Sequence, residues 1–236
     1  YAGEKKIING VESSPLEYVS QHFKLSDSVP QSAQKLFQAL IPGLCAKESS
    51  FKDDSVSSKG ALGTFQIRPR TWKRVTKTKQ NKREPLTKQV EVAGKYFSAI
   101  YREVTKKSEE SLTGIEETYF PNGGFEEHFL VPCVLNGYNV GPTGISDVIN
   151  WFWKEHGLEP AITKDMKDHP VGPGYDLFLK MSDLAKDENK YSKNLSRYRE
   201  QSNSYVPGIY AYAQLLDPEV TKLVQNPTAV LQDQHG

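Results

Sequence analysis

The stretch from Thr87 to Lys106 constrains the fold more than any other. It places Val90, Ala93, Phe97, Ile100 and Tyr101 on one face of a helix, with polar and charged residues between them. A helix that long and that one-sided draws most of its stability from packing its apolar face against a core. No region alternates polar and apolar residues as a half-buried sheet requires. The chain therefore reads as predominantly α, with at most a small β-hairpin.

The other segments fit that frame. Residues 31–40 form a helix with Pro30 near its start and Leu36, Phe37 and Leu40 at helical spacing. Pro42 and Gly43 are expected to break or kink it, leaving a short helical stretch from Leu44 to Ser49. Residues 52–63, rich in Ser, Asp and Gly, read as a loop or short hairpin. Arg70 to Thr78 reads as helix, as do Phe129 to Tyr138, Ser146 to His156, Asp176 to Ala185 and Tyr205 to Leu216. Residues 107–129 read as a polar insertion with Asn122-Gly123-Gly124 as a turn, and 157–176 as a long loop. The expected division is a surface-wrapping extension over 1–29, a domain over 30–216 with insertions near 107–129 and 155–195, and a tail over 217–236.

With 236 residues, 37% of them hydrophobic, the chain can bury one sizeable core. A net charge of +1 gives no global field toward nucleic acid or a membrane surface. No apolar run is long enough to span a bilayer. The sequence starts at Tyr1 with no charged-then-apolar leader, and a mature or trimmed chain is expected. Cys45 and Cys133 are the only cysteines, and two thiols make no metal framework. They are either one disulfide or two buried free thiols.

Charge is segregated. Arg68 to Lys107 is strongly basic, whereas Ser108 to Trp153 holds no Lys or Arg but carries Glu109, Glu110, Glu116, Glu117, Glu126, Glu127 and Asp147. These are either two solvated faces or two surfaces that meet different parts of a charged polymer.

Glu48 closes a short apolar stretch. A carboxyl flanked by core and open to a cleft has its pKa raised, and the protonated acid can then donate to a glycosidic oxygen. The run ESSFKDDSVSSKGALGTFQIRPRT, which begins at Glu48, resembles the first signature of the soluble lytic transglycosylase domain, a lysozyme-like family that also resembles goose-type lysozyme. The matching positions are Glu48, Ser49, Phe51, Val56, Ser57, Gly60, Ala61, Gly63, Gln66, Ile67, Pro69 and Thr71. A second block, LNGYNVGPTGI, resembles the family's Ala-Tyr-Asn-Ala-Gly-Pro segment through Tyr138, Asn139, Gly141 and Pro142. A third, SNSYVPGIYAY, resembles its closing helix through Tyr205 and Val206.

The resemblance implies an α+β lysozyme-like fold and a peptidoglycan glycosidase with Glu48 as catalytic acid and base. It implies substrate contacts from Ser49, Ser57, Gly63, Thr64, Phe65, Gln66, Tyr138, Asn139, Gln201 and Tyr205. No cofactor or metal is implied, the partner is the glycan strand rather than nucleic acid, and a monomer acting in the periplasm or outside the cell is expected. Gly60 and Gly63 let backbone approach a ligand, and Gln66 offers a donor and an acceptor. The stretch SVSSKGAL lacks the Asp residues that goose-type lysozymes place there, so a single-carboxylate scheme leads. The product is either a 1,6-anhydro end or a hydrolytic reducing end.

Four positions depart from the family pattern. Thr64 and Phe65 replace its Leu-Met, Val140 replaces Ala, and Gln201 stands where a Glu is common. A bulky Phe65 filling an acetyl pocket would favour glycan that has lost N-acetyl groups. The competing readings are a non-catalytic glycan-binding module using Trp151, Phe152 and Trp153, a chitosanase-like hydrolase, and a wall-opening part of a larger machine.

Overall fold

The computed structural model describes residues 2–80, 84–157, 173–188, 195, 198 and 204–225. It is mostly helical with one small antiparallel sheet, as expected from the sequence. The chain divides into two compact units.

The first unit comprises Tyr1–Ser28, Phe37–Ser98 and Gly208–Pro218. It opens with a hairpin of β1 (Lys6–Ile8) and β2 (Val11–Ser13), where Lys6 pairs with Ser13 and Ile8 with Val11. Asn9 (φ 52°) and Gly10 (φ 80°) both take left-handed backbone, as a two-residue turn matched to strand twist requires. α1 (Pro15–His22) follows, started by a capping box in which the Ser14 hydroxyl accepts from Glu17 N–H and the Glu17 carboxylate accepts from Ser14 N–H. The extension expected over 1–29 therefore contains a hairpin and a capped helix.

α2 (Gln31–Ser49) continues through Pro42 as one helix. This corrects the expected break at Pro42–Gly43. Pro42 and Gly43 are both buried, and a Cβ at Gly43 would collide with the carbonyl oxygen of Ile209 on the helix Tyr205–Leu216. Gly43 is thus a packing glycine, and burial of the helix around it outweighs the hydrogen bond that Pro42 cannot make. α3 (Pro69–Thr76) and α4 (Leu86–Lys107) complete the scaffold. Phe97 of α4 lies at 6.0 Å from the Phe23 ring and 5.7 Å from the Phe37 ring, at the centre of the apolar core.

The second unit comprises Val29–Leu36, Ala99–Pro207 and Glu219–Gly236. The expected polar insertion contains α5 (Glu109–Tyr119), held down by Leu112 and Ile115, which are buried one turn apart. A π-helical turn, Glu126–Leu130, leads into α6 (Val131–Val140), and Gly141 (φ 88°) separates α6 from α7 (Pro142–His156). α6 packs on α7 and on the π-turn, and α8 (Pro173–Glu188) packs on the π-turn and α7. α9 (Tyr205–Leu216) and α10 (Glu219–Gln225) follow, the latter within the expected tail. Cys45 in the first unit and Cys133 in the second are both free and buried, and burial pushes each thiol well above its usual range.

Candidate functional site

Glu48 sits in the last turn of α2 and is half-buried. Cys45, one turn back, has no exposed surface, and the Glu48 charge adds to the burial that raises its pKa. The helix ends abruptly because Ser50 (φ 52°) and Phe51 (φ 62°) are both left-handed. Two consecutive non-glycine residues there cost about 1–2 kcal/mol each. The turn they make folds the chain back and buries Phe51 to 2% exposure.

The chain then builds a compact loop beside the end of α2. Val56 bridges to Leu62 and Leu62 to Ile67. Ser57 holds the tip: its N–H donates to the Ala61 carbonyl at 2.9 Å and its hydroxyl accepts from Ala61 N–H at 2.9 Å. Gly63 (φ 78°) donates its N–H to the Ser55 carbonyl at 2.8 Å. Gln66 (φ 49°) spends its side-chain amide nitrogen on the carbonyls of Gly63 at 2.8 Å and Ser55 at 3.3 Å. What Gln66 can offer a sugar is therefore its carbonyl oxygen, half of what its residue type promised.

The Ser49 hydroxyl donates to the Thr64 carbonyl at 2.8 Å and so joins the loop to the turn that carries Glu48. Beneath the loop, Gln89 of α4 is 2% exposed. Its carbonyl oxygen accepts from Thr64 N–H at 2.7 Å, and its amide donates to the carbonyls of Glu84 at 2.7 Å and Asp53 at 3.1 Å. Sequence reading passed over Gln89. The available signal was its place on the same helical face as Val92 and Ala93, both buried, where a polar residue needs a partner. Thr64 and Phe65, expected to touch sugar, are 0% and 1% exposed. Both side chains point into the unit, and the Thr64 hydroxyl has no hydrogen-bond partner among the described residues.

Of the expected site residues, Glu48, Ser49, Ser57, Gly63, Thr64, Phe65 and Gln66 are thus gathered in the first unit. Tyr138 and Asn139 lie in the last turn of α6 in the second, the former half-buried and the latter exposed. Tyr205 opens α9 and is 7% exposed. Gln201 lies outside the described residues. Among the nearby carboxylates, Asp53 is ion-paired to Lys6 at 2.6 Å and Asp54 is exposed. Among the described residues no group of three His, Cys, Asp or Glu side chains is placed to hold a metal ion, and no helix is long and apolar enough to cross a membrane.

Two members of the aromatic run on α7 are used for packing. Phe152 is fully buried, and the Trp153 ring lies against Gly114 and Gly157 so closely that neither position has room for a Cβ.

No match was found among curated proteins or among solved structures. The pattern of the transglycosylase SLT domain matches residues 29–156, more than half of the chain. That span holds Glu48, the loop through Gln66, and Tyr138 and Asn139. Membership of this family implies binding of peptidoglycan and cleavage of its glycan strands in the manner of a lytic transglycosylase, in keeping with a place of action outside the cytoplasm. The chain belongs to the transglycosylase SLT domain family.

Proposed function

We propose that Glu48 is the catalytic acid and base of this protein, cleaving the bond between muramic acid and glucosamine units. The observation that carries the reading is the Ser49–Thr64 hydrogen bond, which fixes the Gln66 loop to the helical turn bearing Glu48. A half-buried carboxyl beside apolar core is suited to hold a proton for the bridging oxygen. After the bond opens, the Glu48 carboxylate takes a proton back. Taken from the sugar's own 6-hydroxyl, the product is a 1,6-anhydro end; taken from water, it is a reducing end. The Lys6 pairing of Asp53 and the exposure of Asp54 favour the single-carboxylate scheme, with the substrate's 2-acetamido group helping to stabilise the sugar cation. A chitosanase mechanism would need a second carboxylate placed across the bond.

The test is Glu48→Gln. Strand cleavage should fall by about 10²–10⁴-fold, as for loss of a general acid, with an unchanged melting temperature. Full retention of wall lysis would reject the role and assign the cleavage to another group, whereas a wild-type protein that binds strands without cleaving them would be a glycan-binding module. Mass spectrometry of the wild-type products separates anhydro from reducing ends.

A preference for de-N-acetylated glycan draws support from one feature only. Glu109, Glu110, Glu116 and Glu117 form an exposed acidic stripe on α5 that would attract sugar ammonium groups. The other motive, a pocket filled by Phe65, is not met by a side chain that is 1% exposed. Faster turnover of acetylated than of de-N-acetylated polymer would end that part of the proposal. The periplasm or the extracellular space is the place of action that this substrate calls for.

A further inference from the structure

The helix that follows the Gln66 loop carries a charge pattern that its own stability does not explain. Between Asp54 and Glu84 the sequence holds no acidic residue. Within that interval Arg68, Arg70, Lys73, Arg74, Lys77 and Lys79 are all exposed. None of the six forms an ion pair with a described residue. Arg70, Lys73 and Arg74 stand at i, i+3 and i+4 on one face of α3, with Lys77 next in line as its left-handed C-cap, while the opposite face is anchored by Trp72 at 1% exposure.

Like charges at this spacing repel one another. The first turn of α3 has no acidic residue, so Arg68 and Arg70 also sit unfavourably at the positive end of the helix dipole. Among the described residues only Arg74 of the six finds an internal partner, lying 5.7 Å from the centre of the Tyr96 ring. The remaining cations project together into solvent, and Arg68 follows Gln66 by only two residues. A strand held by Gln66 would therefore pass beside them.

We propose that this face of α3 docks the carboxylates of the peptide stems attached to the glycan strand. The inference rests on the reading of the loop as a glycan site and adds the chemistry recognised next to it. Arginine suits the role because its planar fork meets a carboxylate with two parallel hydrogen bonds. The whole-molecule charge is only +1, so the protein lacks the long-range field that would gather a free polyanion. A local cationic stripe serves instead to engage acidic groups on a polymer already in the site.

The experiment measures co-sedimentation with insoluble peptidoglycan freed of covalently attached phosphate polymers. The Glu48→Gln protein is used throughout, so the readout does not depend on cleavage. Adding Arg70→Gln, Lys73→Gln and Lys77→Gln should weaken binding by about tenfold at low salt, the sum of a few exposed ion pairs. The gap should close as salt is raised. Converting the stem carboxylates to amides should bring the parent protein down to the level of the triple variant. A Lys73→Arg/Lys77→Arg variant, which keeps the charge, should bind as the parent does.

Undiminished binding of the parent to amidated polymer would overturn the proposal without any variant being needed. So would a folded triple variant that binds like its parent. A loss seen only on walls that retain their phosphate polymers would assign the face to those polymers instead. A wild-type protein that cleaves strands but ignores amidation would leave the glycosidase reading standing and remove this one.

Discussion

The segment from Glu48 to Gln66 and the helix α6 carry the two main blocks of the family pattern, yet they are held by opposite means. The first is held by polar staples and costly backbone: the Ser49 hydroxyl, the three contacts of Gln89, and left-handed residues at Ser50, Phe51 and Gln66. The second is held by apolar burial. Every residue from Val131 to Gly137 is buried, and Gly137 is tucked between Ile100 and Ile145. A stapled segment can fail locally while the rest of the molecule stands. A helix set in the core fails only with its whole unit. Strained backbone persists where its surroundings over-determine it, and here it adjoins the proposed acid.

The sharpest way to break that contrast is Gln89→Leu. It leaves the N–H of Thr64 and the carbonyls of Asp53 and Glu84 without their buried partner. About 3 kcal/mol should be lost, at about 1 kcal/mol for each bond. Strand cleavage should fall further than the melting temperature alone accounts for. A loop that keeps full activity in this variant would show that the staple is not what holds it.

Gly137→Ala probes the other side. Its added methyl would come within 2.9 Å of an Ile100 methyl and 3.1 Å of an Ile145 methyl. Overpacking of this kind costs about 1–3 kcal/mol. Here activity and stability should fall together, as thermal denaturation and strand-release assays on the same samples would show.

Thr64→Val is smaller and opposite in sign. The buried Thr64 hydroxyl has no partner among the described residues, so an apolar isostere should be neutral or stabilising by up to about 1 kcal/mol. A clear loss of stability on denaturant titration would reveal a partner, such as an ordered water, beneath the loop.

The last is a slope in pH rather than a step. Burial, together with the charges of Glu127 and Glu116, raises Glu126 above its ordinary value of 4.5, and the hydroxyl that Tyr101 donates at 2.6 Å only partly opposes this. The folded chain then holds the proton more tightly than the unfolded one. The stabilisation is complete below the ordinary value and is lost as pH rises through the folded value. Glu126→Gln keeps the neutral form, so its melting temperature should match wild type near pH 4 and exceed it increasingly toward pH 8. Burial lowers His128, which gives a loss of stability in the acid direction instead, but this is common to both proteins and cancels in the difference. Parallel curves across that range would dismiss the effect.

The contrast also explains what could be read from residues alone. The long helix with Phe97 and Ile100 was legible because a core-facing stripe writes itself at helical spacing. Glu48, Ser49 and the glycine-rich loop were legible as a spaced pattern. Gln89 was not, because its partners lie in segments that only folding brings near. Pro42 and Gly43 misled for a related reason. Their local preference is to interrupt, but the close approach of α9 at Ile209 and Ala213 gives Gly43 a different purpose. The turn at Asn9-Gly10 could have been read, since that dipeptide favours a tight hairpin. The buried fate of Thr64 and Phe65 could not, as their neighbours in sequence are shared by exposed and buried loops alike.

Cys45 stands one turn from Glu48 and Cys133 stands on α6, and each is sealed from solvent. Each unit therefore contains one native clock for its own opening. A thiol reagent can mark Cys45 only when the end of α2 breathes, and Cys133 only when α6 does. Two labelling rates, separable by peptide mass, would record how often the stapled segment loosens while the apolar helix stays shut.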